Sequence, residues 1–510
     1  MTADTPQNTT PKSDLPEAVL ELKGLGNKAL VAGNYTEAIG FYSEALDLLD
    51  SPNAIILSNR AQAYIKLENY GLAKADGTLA IEADPSYPKA YYRRGTAEFA
   101  LNKPKAARKD FKSVCKLRPK DRDARMRYAE CDKLVKKAAF AAAIESEETI
   151  PLSDSFVPND ITIPDAYDGP HPSGGTQCLA NGDLDKEDAM FQPGKLPMEF
   201  VMAAMECFKE QKSIHTRYTA RLLIHCKRYF ESQSSLMRLS LPESNPGDEP
   251  HITVCGDTHG QFYDVLTIFK MNGYPSATNP YLFNGDFVDR GSFSIEVILT
   301  FLLFKMACPE CIYLTRGNHE TKNMNRIYGF EGEAKAKYDD KIFELFLEVF
   351  CHLPLAAVIE NKVFVTHGGI PVDPCSLEEI NKVKRGCEPP EKGIMSDLLW
   401  ADPQPMPGKS PSKRGVGFSF GPDITKAFLE QNNLELIVRS HEAKEEGYVI
   451  EHDGKIITIF SAPNYCDSMG NKGAYIRFEK DCKPNFTKFD AVAHPNVGPM
   501  AYAKGMGGMF

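Results

Sequence analysis

The sequence predicts a multidomain chain in which an all-α helical-repeat solenoid is followed by an α/β sandwich flanked by helices. Three observations predict this fold class. Small residues recur with a period of about 34 residues over 19–121. An acidic segment with clustered Pro, Gly and Ser comes next, and beyond Pro250 short β-rich runs alternate with helical runs. A chain of 510 residues is also too long for a single core.

The first element is the repeat. Small residues at equivalent phases of three copies let paired helices pack closely. They are Gly26, Ala61 and Gly95, then Ala38, Ala73 and Ala107, then Ala45, Ala80 and Val114. The pattern resembles the tetratricopeptide repeat, a helix–turn–helix unit, and favours it over an irregular helical bundle. An amphipathic run from Asp121 to about Ile144 is expected to be the capping helix.

The acidic segment covers 145–195 and holds eleven acidic and two basic residues. Because this composition offers little apolar surface to bury, we expect an extended, largely flexible linker. Helical periodicity resumes over 197–236. The predicted organisation is a disordered N-terminus over 1–15, three repeats and a capping helix over 16–144, the linker over 145–195, an α/β domain over 196–500 and a tail over 501–510.

The α/β half follows from the alternation of runs beyond Pro250. Six β-rich runs are predicted as strands, at 251–255, 281–283, 311–314, 362–366, 434–439 and 455–460. Helices are predicted at 262–272, 294–306, 337–350 and 422–431. This order indicates sheets covered by helices.

Polar and charged side chains of the kinds that bind metals follow five of these strands. The strands lead in order to Asp257 and His259, to Asp286, Asp289 and Arg290, to Asn318 and His319, to His367, and to His441. Sites in α/β folds assemble at the carboxyl ends of strands, so these five ends are expected to meet in one crevice. Any one of the residues alone would more often be structural, but the ordered set predicts a site.

The chemistry of this set suits divalent metal ions. Carboxylate, imidazole and amide ligands fit manganese, iron or zinc, and Asp286 could bridge two ions. Two ions about 3.5–4 Å apart can hold a hydroxide between them and clamp phosphoryl oxygens during an in-line displacement. The sequence also lacks an evident nucleophilic cysteine in a C-x₅-R arrangement, which favours direct hydrolysis.

Three segments carry a family resemblance: GDTHG (256–260), GDFVDRG (285–291) and GNHE (317–320). They resemble the serine/threonine phosphoprotein phosphatases of the calcineurin-like metallophosphoesterase fold. The resemblance runs over about 205–500 and includes DLLWADP (397–403), SKRGVGFSFGPD (412–423), RSHE (439–442) and SAPNYCD (461–467). It implies hydrolysis of phosphoserine and phosphothreonine in proteins.

The resemblance also implies a role for each site residue. Asp257, His259 and Asp286 would hold one ion, and Asp286, Asn318, His367 and His441 would hold the second. A hydroxide bridging the two ions would attack, with His319 as the general acid and Asp289 orienting it and raising its pKa. Arg290 and Arg414 would grip the phosphate, with Asn318, His441 and Tyr465 as further substrate contacts.

The repeats carry a second resemblance. Lys23, Asn27, Asn59, Lys89 and Arg93 occupy one inner-face phase and resemble the carboxylate clamp that holds the acidic C-terminal peptide of the ninety-kilodalton heat-shock chaperone. Lys66 is expected to add a contact. The alternative is a solvated basic face, which is common on helical repeats.

Autoinhibition by the repeat domain is implied as well. Residues 16–140 carry a net charge of +6 and the remainder −16, so the two parts are complementary. Glu68 matches the family residue that occupies the phosphate-binding arginines. The linker is longer and more acidic than the family pattern, and the tail ends MGGMF without an evident amphipathic helix.

Composition argues against a membrane-spanning or secreted protein. Apolar stretches such as 298–304, which is broken by Thr300, are far shorter than the roughly 20 residues of a membrane span, and no signal peptide is evident. We therefore expect a monomeric intracellular protein, cytoplasmic and nuclear, that binds no nucleic acid. A lipid or another activator of the repeat domain is left open. The pair Cys308 and Cys311 lacks a second pair at zinc-site spacing, so two reduced structural thiols are expected.

Two other functions remain alternatives. A metallophosphoesterase acting on nucleotides or phosphodiesters would share the metal set, although the SAPNY and RSHE segments and the repeats favour phosphoproteins. A non-enzymatic scaffold would require a damaged metal set, and all six predicted ligands are in place.

Overall fold

The computed structural model describes residues 15–144, 150–173, 184–243 and 249–503. They form two compact units, the first within residues 1–144 and the second comprising nearly all of the chain that follows. Most of the predicted N-terminus (1–15) and tail (501–510) lies outside the described residues. Among the described helices, none combines the length and apolar character needed to cross a bilayer.

The first unit consists of helices that pack as consecutive pairs, as the repeat predicts. They are α1 (Glu17–Ala32), α2 (Tyr35–Asp47), α3 (Ala54–Lys66), α4 (Tyr70–Ala83), α5 (Pro88–Ala100), α6 (Pro104–Leu117) and α7 (Arg122–Ile144). The pairs are α1 with α2, α3 with α4 and α5 with α6, and α7 packs on α6. Three helix pairs and a final helix confirm the predicted repeat architecture.

The same packing contacts recur from one repeat to the next. Arg60 forms two hydrogen bonds of 2.8 Å with the Asp76 carboxylate, and 34 positions later Arg94 does the same with Asp110. The small residue at Gly26 is required by close approach, because an added Cβ would lie 2.6 Å from the Tyr42 ring. The period of the sequence is therefore a period of physical contacts.

The second unit contains the remaining helices and all the strands. Its helices are α8 (Leu152–Ser155), α9 (Leu184–Met190), α10 (Met198–Lys209), α11 (Thr216–Ser232), α12 (Phe262–Asn272), α13 (Ser294–Ala307), α14 (Lys322–Tyr328), α15 (Phe330–Lys337), α16 (Asp340–His352), α17 (Leu377–Asn381), α18 (Ile394–Trp400) and α19 (Pro422–Asn432). Short 3₁₀ turns lie at Pro158–Asp160 and Tyr465–Asp467.

Its strands are β1 (Leu236–Leu239), β2 (Ile252–Cys255), β3 (Tyr281–Asn284), β4 (Ile312–Thr315), β5 (Ala356–Ile359), β6 (Val363–Thr366), β7 (Asp402–Pro403), β8 (Lys409–Pro411), β9 (Phe418–Phe420), β10 (Leu436–Arg439), β11 (Tyr448–Glu451), β12 (Ile456–Ile459), β13 (Gly473–Phe478) and β14 (Pro484–Phe489). They form sheets in the orders β1-β5-β6-β10-β12-β11, β14-β13-β2-β3-β4 and β7-β9-β8.

The two larger sheets pack face to face and helices cover their outer faces. Successive side chains of a strand point to opposite faces, so Leu282 joins the core between the sheets while Tyr281 and Phe283 face the helical layer. A further core lies on the other sheet, with Phe364 and Phe428 in contact. This helix-flanked β-sandwich is the fold class that the sequence predicts.

The structure corrects the prediction of a flexible linker for the parts of 145–195 that it describes. The Leu152 and Ser153 N–H groups donate to the Glu348 carboxylate at 2.6 and 3.1 Å. Phe191 is fully buried in the core of the second unit, and Glu187 pairs with Arg221 of α11 inside it. Acidic composition misled the prediction because the charge of Glu187 has a buried partner, Arg221, far away in sequence.

The structure also differs from the prediction at Cys308 and Cys311. Their Cα atoms lie 5.4 Å apart across the turn between α13 and β4, and their sulfurs form a disulfide instead of two reduced thiols. The tight turn, in which the Cys311 N–H donates to the Cys308 carbonyl at 3.0 Å, brings them together.

Candidate active site

The five strand ends meet where the two large sheets face each other, as predicted. Strands β2, β3 and β4 are parallel neighbours in one sheet, and β6 and β10 are parallel neighbours in the other. Asn284, at the end of β3, links the sheets because its Nδ2 donates to the Thr366 carbonyl at 2.7 Å and to Ser440 Oγ at 2.9 Å. Residues from both sheets therefore build a single site.

The predicted ligands of the first ion lie together. His259 Nε2 is 3.7 Å from Asp257 Oδ2 and 3.6 Å from Asp286 Oδ2, distances that suit atoms coordinating one ion. All three side chains are buried. His259 Nδ1 is 3.1 Å from the Val288 carbonyl, and this bond fixes the ring with Nε2 towards the carboxylates.

The predicted ligands of the second ion surround the other side of Asp286. His367 Nε2 lies 3.3 Å from Asp286 Oδ2 and 2.8 Å from Asn318 Oδ1, while its Nδ1 is bonded to the Asn284 carbonyl at 2.9 Å. Asp286, His367 and His441 have ligand atoms within 4.8 Å of one another. Asp286 Oδ2 therefore lies within 3.6 Å of a ring nitrogen of both His259 and His367.

The donor set fits divalent ions. Burial raises the pKa of Asp257 to about 8, since a carboxylate without a nearby cation is disfavoured in this interior. His259 and His367 each have a backbone carbonyl as acceptor on Nδ1, an arrangement typical of metal-binding histidines. Two buried ligand groups that share one carboxylate are an arrangement suited to a pair of ions.

The predicted acid, His319, is held by a buried hydrogen-bond network. Its Nδ1 lies 2.8 Å from Asp289 Oδ2, and Asn325 Nδ2 donates to the same oxygen at 3.1 Å and to the His319 carbonyl at 2.7 Å. Burial raises the pKa of Asp289 to about 8, opposed by the N–H donors of Phe330 and Asn325. The bond through Nδ1 fixes the orientation of the His319 ring.

A second role for His319 is geometrically allowed. One of its ring nitrogens lies within 4.8 Å of ligand atoms of His259 and Asp286, so it could act as a metal ligand instead. The bond to Asp289 does not distinguish between a ligand and an acid, because both would use Nε2.

The predicted phosphate-binding residues are all buried. Arg290 is buried, its guanidinium carbon lies 3.8 Å above the Tyr328 ring centroid, and Nη1 is 3.9 Å from Met500 Sδ. Tyr465 lies beside His259, with ring centroids 5.0 Å apart, and burial raises its pKa against the opposing charge of Arg290. Arg414 lies between β8 and β9, and its role stays a prediction.

Several site residues have left-handed backbone conformations. The φ angle is +41° at His259, +51° at Asp286, +71° at Asp289, +68° at Arg290 and +72° at His441. Such conformations are costly for residues with a Cβ and concentrate at functional sites. At Gly317 a side chain is excluded, because a Cβ would lie 2.2 Å from Asp286 Oδ1.

Sequence reasoning missed Glu320, which holds the two central loops together. Its fully buried carboxylate accepts the N–H groups of Asp286 at 2.8 Å, Phe287 at 2.9 Å and Gly317 at 2.9 Å. Burial, and then repulsion from Asp286, raises its pKa to about 8. The GNHE segment contains Glu320, but its partners are backbone groups that no side-chain pattern reveals.

The predicted clamp residues all lie on the first helices of the three pairs. Lys23 and Asn27 are on α1, Asn59 and Lys66 on α3, and Lys89 and Arg93 on α5. Asn59 Nδ2 donates to Asn27 Oδ1 at 3.0 Å, and the Tyr42 hydroxyl donates to the same oxygen at 2.7 Å. The structure thus brings two of the six together directly. Glu68 lies in the turn between α3 and α4 with φ of +60°.

Comparisons with known proteins agree with both units. A family model described as calcineurin-like phosphoesterase matches residues 250–445, and tetratricopeptide-repeat models match 54–87 and 88–121. A model described as the PPP5 TPR repeat region matches 128–238. The calcineurin-like phosphoesterase domain implies divalent metal ions.

Whole-length relatives and a solved structure are similar as well. Serine/threonine-protein phosphatase 5 of Homo sapiens is 49% identical over 98% of this chain and 96% of its own length, and that of Arabidopsis thaliana is 48% identical over 96% and 97%. A Saccharomyces cerevisiae protein serine/threonine phosphatase with similarity to the human enzyme covers 60% of this chain and 100% of its own, with 44% identity and a TM-score of 0.57. The chain therefore belongs to the serine/threonine-protein phosphatase 5 family, and it is a protein serine/threonine phosphatase.

Proposed function

We propose that this enzyme hydrolyses phosphoserine and phosphothreonine by direct attack of water at a two-ion centre, with His319 as the general acid. The observation that carries the proposal is the pair of ligand groups sharing Asp286, with the His319–Asp289 hydrogen bond beside them. The shared carboxylate supports a centre of two ions. The hydrogen bond supports a general acid that is held in position next to them.

Asp257, His259 and Asp286 would hold one ion, and Asp286, Asn318, His367 and His441 the other. Manganese and iron fit this mixed donor set, and zinc fits it too. Two such cations would supply an activated water and neutralise charge on the phosphoryl oxygens. The chain fixes the ligands through backbone acceptors and through the His319 N–H, which donates to Asp286 Oδ1 at 2.8 Å.

His319 would protonate the departing serine or threonine oxygen from Nε2. An alkoxide is a poor leaving group, so a positioned proton donor contributes about 10²–10⁴-fold to the rate. Asp289 holds the ring through Nδ1, and Asn325 holds both residues, so the acid keeps one orientation. Arg290, stacked on Tyr328, presents a preoriented guanidinium that matches two phosphate oxygens.

The test separates an acid from a metal ligand. We expect His319→Gln to keep two metals per chain by elemental analysis and to lose about 10²–10⁴-fold in kcat on a phosphoserine peptide. The loss should be much smaller on p-nitrophenyl phosphate, whose leaving group needs no proton. His352→Gln, a partly buried histidine bonded to the Glu348 carbonyl, is the control. Equal losses on both substrates together with lost metal would contradict the proposal.

The nucleotide or phosphodiester alternative is tested with the same preparation. Turnover of a phosphoserine peptide is expected to exceed that of a dinucleoside polyphosphate by orders of magnitude. Faster turnover of the dinucleoside polyphosphate would contradict a phosphoprotein substrate.

The repeat unit is proposed to dock the acidic C-terminal peptide of the ninety-kilodalton heat-shock chaperone. Support comes from six cationic or amide side chains on α1, α3 and α5, with Asn27 and Asn59 already in contact. Such groups match an α-carboxylate and a neighbouring Asp.

We expect the free-acid peptide to bind, and both C-terminal amidation and Lys89→Ala to weaken binding at least tenfold. Lys105→Ala, an exposed lysine on α6, should change little. Equal binding of the amidated peptide would exclude a carboxylate clamp.

Autoinhibition by the repeat unit is proposed through Glu68, supported by the charges of +6 and −16 in the two parts of the chain. The full-length Glu68→Ala variant is expected to turn over a small phosphomonoester faster than wild type, with Glu82→Ala on α4 as the control. A point substitution is preferable to deleting residues 1–190, because Leu152 and Glu187 have partners in the second unit. Unchanged turnover would contradict a role for Glu68.

A further inference from the structure

A disulfide joins the end of a core helix to the start of a strand, away from the metal ligands. Cys308 follows α13 directly and Cys311 immediately precedes β4, in the order Cys-Pro-Glu-Cys. Phosphate hydrolysis does not use either residue. The bond therefore requires an explanation separate from the phosphatase chemistry.

The two cysteines differ in accessibility. Cys311 is 1% exposed, whereas Cys308 is partly exposed and Glu310 between them is exposed. Cys308 is therefore the more solvent-exposed residue of the pair. In thiol–disulfide exchange the sulfur that can be reached is the one attacked, so this asymmetry defines an attacked sulfur and a leaving sulfur.

The turn keeps its shape through bonds other than the disulfide. Lys305 is buried, and its Nζ donates to the carbonyls of Pro309 at 2.5 Å and Ile312 at 2.6 Å, on either side of Cys311. The Cys308 N–H donates to the Phe304 carbonyl at 2.8 Å. With the backbone held in this way, opening the S–S bond should leave the two sulfurs near each other and able to re-form it.

Other cysteines provide a contrast. Cys226 and Cys255 are fully buried and unpaired, and burial raises the pKa of both thiols, which makes them poor nucleophiles. Cys387 is exposed and free. Of the described cysteines, only Cys308 and Cys311 combine a partner sulfur with an accessible side.

We propose that Cys308 and Cys311 form a thiol–disulfide exchange site whose reaction partner is a dithiol reductant and whose attacked sulfur is Cys308. Disulfides in reducing compartments are usually transient and take part in exchange. A short Cys-x-x-Cys turn with one accessible sulfur has the form that such exchange needs.

The exchange balances without other reactants. A thiolate of the dithiol attacks Cys308 Sγ, the Sγ–Sγ bond breaks, and Cys311 leaves as a thiolate that takes up a proton. The second thiol of the reductant then attacks the reductant's other sulfur, which is bonded to Cys308 in the mixed disulfide, and Cys308 is released as a thiolate. Two electrons have passed to the protein, and the reductant has become a disulfide.

The test uses the full chain with Cys387→Ser to remove the exposed free thiol. Protein isolated in air is alkylated before and after native treatment with dithiothreitol, and the 308–311 peptide is examined by mass spectrometry. We expect an oxidised pair that the dithiol opens without loss of circular dichroism. Recovery as free thiols after oxidised glutathione, or a bond that opens only in urea, would overturn the proposal.

Single variants test which sulfur is attacked. Cys311→Ser leaves Cys308 as the thiol and should form a mixed disulfide with oxidised glutathione at least tenfold faster than Cys308→Ser does through Cys311. Equal rates in the two folded variants would overturn the assignment of Cys308. Because the measurement on the Cys387→Ser chain keeps both Cys308 and Cys311, poor folding of a single variant would still leave the exchange itself testable.

Discussion

Glu320 offers the sharpest test of how the site is held. Its Oε2 accepts the N–H groups of Asp286 and Gly317, and its Oε1 accepts that of Phe287. In Glu320→Gln, the amide oxygen can replace Oε2, but the NH₂ group then faces the Phe287 N–H and leaves it without an acceptor. One orphaned buried donor costs about 1–3 kcal/mol of unfolding free energy.

The same change should reduce catalysis, because the two loops that Glu320 joins carry Asp286 and His319. Loss of such a supporting contact typically lowers metal affinity or activity about 10–100-fold. The assays are urea unfolding of the full chain, metal content, and kcat on a phosphopeptide.

Glu333→Gln is the matched control. Glu333 is also buried, and it accepts the backbone N–H groups of Ser294 at 3.1 Å and Ile295 at 2.8 Å, at the start of α13. We expect Glu333→Gln to lower stability by at least as much, because it also loses the ion pair with Lys337, with little change in kcat. If Glu320→Gln retained its kcat, or if both variants lost the same kcat, the positioning role of Glu320 would be wrong.

Two further predictions concern packing and pH. Gly26→Ala should destabilise the repeat unit by about 1–3 kcal/mol in a thermal unfolding assay, because its Cβ would overlap the Tyr42 ring, whereas Gly24→Ala has open space and should be neutral or stabilising. His171 is buried with Nδ1 2.5 Å from the Tyr218 hydroxyl, and burial lowers its pKa below 6.5. Its neutral form therefore stabilises the fold fully above pH 6.5, and this contribution is lost as pH falls. Protection against hydrogen exchange over 150–173, corrected for the intrinsic pH dependence of amide exchange, should fall below pH 6.5 in wild type but not in His171→Phe, and an equal fall in both would refute this.

The strands that position the site were predictable because they are buried on both faces. The predicted run at 281–283 is β3, and the run at 362–366 contains β6, since continuous apolar runs bounded by Gly or charged residues leave little choice. Strand β1 was missed because Leu236–Leu239 directly continues a helical pattern. Edge strands of this kind depend on their neighbour, here β5, which is far away in sequence.

The ligands were predictable and their supports were not. Asp286 and His367 stand at strand ends, a position that sequence reveals. Glu320 acts on backbone N–H groups, and Glu187 acts on Arg221, so their roles exist only once the chain is folded. Composition likewise indicated a flexible linker where the described residues are packed.

The link that Asn284 makes between the two large sheets has a thermodynamic consequence. Ions bound at this seam would be held by Asp257 and Asp286 from one sheet and by His367 and His441 from the other. An ion that binds only the native arrangement raises stability in proportion to the logarithm of its concentration over its dissociation constant. The folding stability of the β-sandwich and its metal occupancy are then thermodynamically coupled. A chelator would therefore destabilise this enzyme mildly as well as inhibit it.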